Sequence, residues 1–122
     1  MPEERERRSM PRTQLADRPA ALVRGAREVR LLDLSLAGAQ IEHLAPLHLG
    51  AACSLELPPP GEACTLPAQV VWCTVVGRRR TLGGESHLVV RSGLRFRTLT
   101  AGQQAVLVDT VHYFATALQP IA

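Results

Sequence analysis

The chain has 122 residues, 46% of them apolar and 20% charged, and its 14 basic against 11 acidic residues leave a net charge of +3. That length suits one domain around one core. No apolar run approaches the ~20 residues of a membrane-spanning helix, the charged opening MPEERERR is unlike a signal peptide, and three cysteines without a CxxC spacing suit neither a disulfide framework nor zinc.

These features lead us to expect a cytoplasmic protein with no membrane insertion, no metal and inert thiols. His43, His48, His87 and His112 are scattered without ligand spacing, so packing or surface roles are expected for each. The positive charge is concentrated at the start. Residues 1–30 hold eight arginines against five acids, whereas residues 31–122 hold six of each. Every basic residue is arginine, whose planar guanidinium suits bidentate recognition of phosphates and base edges.

Residues 1–12 are polar and arginine-rich. Pro2 and Pro11 argue against one helix through them, since proline lacks the amide donor and restrains its predecessor. We expect a flexible arm at 1–12 and a single domain over 13–122. From Leu15 onward, short apolar runs recur between turn signals, the pattern of an all-β domain. Gly25 and Ala26 are expected to turn a strand ending near Val23 into a second at 28–34. AQIEH and ACSLEL supply two more, and PPPGE, residues 58–62, reads as a loop because proline cannot serve in a paired central strand.

The strongest strand signal is LPAQVVWCTVV, residues 66–76, with Ala68, Val70, Trp72 and Thr74 expected on one face. A hairpin through GRRRTLGGE should join it to residues 86–97, which places the Arg78, Arg79 and Arg80 cluster at a solvated tip. The period then changes. Thr100 and Gln103 form a capping-box pattern, and Leu107, Val111, Phe114 and Leu118 make an apolar stripe, predicting a helix over 101–118 that ends before Pro120.

Two polar stretches stand out. In DLSLAG, residues 33–38, strand periodicity sets Leu31, Asp33 and Ser35 on one side and Leu32 and Leu34 on the other. Gly38 ends the stretch where close approach needs no Cβ. A turn of the Asx or Ser type, with no ligand, accounts for these residues equally well. The other stretch is RRSMPR, in which Arg8 and Arg12 have RxxxR spacing behind Arg7.

RxxxR followed some twenty residues later by DxSxxG resembles the paired signature of the PilZ family, bacterial receptors for cyclic di-GMP. VRLLDLSLAGAQI, AQVVW and SGLRF resemble strand regions of that family, so the likeness covers about residues 7–118. It implies a mainly β fold, a six-stranded antiparallel β-barrel with a C-terminal helix. It also implies a non-catalytic receptor, without a catalytic residue or a cofactor, that binds cyclic di-GMP and changes its contacts with an unidentified downstream protein. The site residues carried over are Arg8, Arg12, Asp33, Ser35 and Gly38. Arg7 occupies the place that in the family accompanies an intercalated ligand dimer, so two cyclic di-GMP molecules per chain are expected.

The chemistry suits such a ligand. Guanine O6 and N7 accept a bidentate guanidinium, arginine also contacts phosphate or stacks on purine, and a carboxylate such as Asp33 accepts from guanine N–H groups or orients an arginine. Two other readings compete with this one. A PilZ-like adaptor in motility or pilus assembly would keep the fold and drop the nucleotide. A barrel for single-stranded nucleic acid would need aromatic platforms, which an aromatic content of 3% disfavours, so no nucleic-acid polymer is expected. An enzyme is disfavoured because no nucleophile elbow, P-loop or paired-carboxylate pattern is present.

Overall fold

The computed structural model describes residues 12–44, 46–59, 61–80 and 82–117. Most of the expected arm, with Arg7 and Arg8, lies outside the described residues, as does Leu118 at the expected helix end. Among the described residues seven strands and one helix follow in order: β1 Thr13–Gln14, β2 Ala20–Val23, β3 Val29–Leu34, β4 Gly38–His43, β5 Ala52–Glu56, β6 Thr65–Arg80, β7 Ser86–Phe96 and α1 Ala101–Ala117.

All pairings are antiparallel, in the order β1-β3-β2-β5-β6-β7-β4, and β4 also turns back to pair with β3. This corrects the six-stranded barrel we expected. A seventh strand, β1, shares one edge of β3 with β2: Thr13 lies opposite Leu34, and Ala20 opposite Arg30. Between them Arg18 has a left-handed φ of 43° and Pro19 can donate no ladder bond, so the two short strands cannot merge into one. The β2–β5 seam is only two residue pairs long, and β6 and β7 run on past their neighbours as a ribbon. The result is a coiled seven-stranded sheet in place of the closed six-stranded barrel expected.

The core lies inside this coil. Leu31, Leu34, Ile41, Leu55 and Leu66 are fully buried there, and α1 closes one side through Leu107, with Val106, Val111 and Phe114 packed against the cluster. The capping box forms as expected: Gln103 N donates to Thr100 Oγ1 at 3.1 Å, and Thr100 N donates to Gln103 Oε1 at 2.9 Å.

Among the described residues two of the three register shifts in the sheet re-aim side chains near one another, the third lying between Val75 and Gly77 of β6. A register shift between Leu31 and Asp33 breaks the alternation of β3, so Leu31 belongs to the core while Asp33 joins Leu32 at a surface cleft. A second shift, between Val70 and Trp72, breaks β6. Ala68 and Val70 point into the core as expected, but Trp72 is half-buried and stands opposite Gly93 on the other face. The arginine cluster is likewise not in the turn. Arg78, Arg79 and Arg80 are the last residues of β6, and the strand outruns its expected end by four residues.

Candidate functional site

Asp33 sits in β3 where that strand meets both β1 and β4, opposite Gln14 on one side and Gln40 on the other. The residue is 7% exposed, and its Oδ1 accepts from Arg12 Nη1 at 3.2 Å and from the Gln40 amide at 3.1 Å. Burial pushes this carboxyl above its ordinary value, against the smaller opposing pull of the Arg12 guanidinium and the Gln40 amide. Arg12, half-exposed, therefore compensates a charge that burial penalises.

Ser35 and Gly38 serve the turn that follows. Ser35 N and Ser35 Oγ both donate to Gly38 O, while the amides of Ala37 and Gly38 donate to Ser35 Oγ at 3.1 and 3.2 Å. This is the Ser-type turn set out above as the ligand-free account of these residues. Gly38 is required by a close approach of backbone: a Cβ there would overlap the carbonyl oxygen of Leu94 on β7.

An open cleft of ≈570 Å³ lies before Asp33, lined by Gln14, Leu15, Ala16, Arg18, Leu32, Gln40 and Arg91 as well. Arg91 Nε donates to Glu42 Oε2 at 3.0 Å, and Arg18 approaches the same oxygen at 3.9 Å. Strand register extends the surface. Asp33 pairs with Gln40, Gln40 with Gly93, and Gly93 with Trp72, so these four residues form one row across β3, β4, β7 and β6. The indole lies over Gly93, where any Cβ would collide with it.

Of the six residues carried over from sequence, the structure brings Arg12 and Asp33 into contact and sets Ser35 and Gly38 in the adjoining turn. Arg7 and Arg8 lie outside the described residues. Arg18, Gln40, Arg91 and Trp72 were missed. Only Trp72 had a usable signal, Gly93 within a strand, which marks a place where something approaches the backbone closely.

The outlying thiols and histidines form no comparable site. Among the described residues no group of three His, Cys, Asp or Glu side chains could hold a metal ion. Cys73, expected to be inert, is exposed and receives a bond from Ser92, whose hydroxyl also meets the buried His43 at 2.7 Å. Among the described residues no helix is long and apolar enough to cross a membrane.

The family model of the PilZ domain matches residues 6–112, nearly the whole chain. The chain belongs to the PilZ domain family. Its structure is similar to the solved PilZ domain with c-di-GMP of YcgR from Escherichia coli, with a TM-score of 0.67 over 91% of this chain and 93% of that one. Sequence identity between the two PilZ domains is 17%, so the likeness bears on the fold. No curated protein matches the chain.

Proposed function

We propose that this PilZ domain is a non-catalytic receptor for cyclic di-GMP. The observation that carries the reading is the Arg12–Asp33 pair. Residues 21 positions apart, one from each half of the motif, meet at the rim of an open cleft that also holds Arg18, Gln40 and Arg91. The arm delivers Arg12, and Arg7 and Arg8 four to five residues earlier, as guanidinium forks for guanine edges and phosphates. Asp33 orients Arg12 through Oδ1 and offers Oδ2 to guanine N–H donors. Three charge-assisted bonds at ~1.5–3 kcal/mol each sum to ~4.5–9 kcal/mol, and the upper end of that range reaches the ~8 kcal/mol of micromolar affinity.

In this reading Ser35 and Gly38 act by holding the turn and the strand spacing that present Asp33, and Arg7 recruits a second, intercalated nucleotide. Binding closes the arm over the cleft and so alters the surface seen by a downstream protein. The adaptor reading draws support from the same turn, because the bonds of Ser35 Oγ are fully accounted for without a nucleotide. Calorimetric titration with cyclic di-GMP, beside cyclic di-AMP and GTP, separates the two. Saturable heat from the first alone is expected, and its absence at high micromolar ligand leaves the adaptor.

A further inference from the structure

The ribbon formed by β6 and β7 ends in three consecutive arginines that the nucleotide reading does not use. Arg78, Arg79 and Arg80 are exposed and pair with Leu88, His87 and Ser86. Successive strand residues point to opposite faces, so Arg78 and Arg80 share one and Arg79 takes the other. Arg79 reaches back to an ion pair with Glu28, in the turn between β2 and β3. Glu28 has a left-handed φ of 49°, uncommon for a residue with a side chain.

This clasp bounds an open groove of ≈760 Å³ between the β2–β3 hairpin and the ribbon tip. Its charged lining is three cations, Arg30, Arg79 and Arg80, against one acid, Glu28, and that acid is already paired with Arg79. Leu22, 67% exposed, and the fully exposed Leu82 supply apolar contact in the same groove. The size falls in the range of ligand-binding clefts.

We propose that this groove docks an extended acidic segment of a partner protein, its carboxylates on Arg30 and Arg80 and its apolar side chains over Leu22 and Leu82. The sign of the charge dictates an acidic partner. The division of the arginines between two faces dictates its shape, because they cannot all bear on one flat polyanion such as a duplex or a bilayer. A strand laid beside the ribbon presents side chains to both faces at the same two-residue period. A free edge is present at the groove: β6 pairs with β5 only as far as Gln69, so its groove-lining end at Arg79 and Arg80 has no second neighbouring strand among the described residues.

The test uses isotope-labelled full-length chain without nucleotide, so that failure of the cyclic di-GMP reading does not affect it. A blocked hexapeptide of alternating glutamate and leucine is titrated while amide resonances are followed. Saturable shifts are expected at Leu22, Arg30, Arg80 and Leu82, with affinity about tenfold weaker in Arg80→Glu, which leaves the Arg79 clasp intact. No response is expected from a lysine–leucine peptide. Four results overturn the proposal: no shift at millimolar peptide, equal shifts from the lysine peptide, tighter binding of duplex DNA or phosphatidylglycerol vesicles at these amides, or self-association through the groove that the peptide does not displace.

Discussion

Arg12→Ala separates a ligand clamp from a structural ion pair. The Arg12 side chain is 49% exposed and its partner is 10% exposed, so solvent screens the pair and its loss costs about 1 kcal/mol or less of stability. In a chain of this size that amounts to roughly 3–5 °C in Tm. If the same guanidinium grips a guanine or phosphate, a charge-assisted bond of ~1.5–3 kcal/mol disappears from binding, a loss of roughly 10- to 150-fold in affinity for cyclic di-GMP. Calorimetry and a thermal melt on one preparation read both quantities. Arg8→Ala should lose affinity comparably with no shift in Tm. Undiminished binding in both variants refutes the clamp, and a collapse in Tm beyond about 10 °C for Arg12→Ala shows that the residue holds the fold instead.

The remaining predictions concern the turn and the carboxylate. Gly38→Ala should destabilise the domain by about 3 kcal/mol or more, because the added Cβ meets the Leu94 carbonyl, part of a paired strand that cannot move aside; an unchanged urea midpoint would contradict the close packing. Ser35→Ala removes the acceptor of two amides and should cost about 1–3 kcal/mol in the same assay, while affinity measured on the folded fraction stays within about threefold. A far larger loss of affinity would mean that Ser35 touches the ligand directly. Asp33→Asn tests the raised carboxyl. A group whose folded pKa lies above its unfolded value contributes stability below the unfolded value, here 3.8, and loses it as pH rises through the folded pKa. Wild-type stability relative to the asparagine variant should therefore fall as pH rises from 3.8 toward neutrality. A rise over that interval would show that Arg12 and Gln40 outweigh burial.

Read residue by residue, the sequence was sufficient for whatever is set locally. The prolines of 58–62 and the spacing of Thr100 and Gln103 each act within a few residues, and the loop and the capped start of α1 follow them. The pairing of RxxxR with DxSxxG likewise points to Arg12 and Asp33, which meet in the structure. Periodicity failed where a strand carries one extra residue. The irregularities after Leu31 and Val70 turned Asp33 and Trp72 to faces that strict alternation denies them, because a register shift depends on the partner strand rather than on the residues that undergo it.

Tertiary structure alone decided the rest: that β1 and β2 divide one edge of β3, that Gly38 answers to Leu94 and Gly93 to Trp72, and that Arg18, Gln40 and Arg91 gather around Asp33. These are meetings between residues up to about seventy positions apart. Their physical cause is cross-strand register, which is settled by how all the strands bury one shared core together and is written in no single stretch of chain.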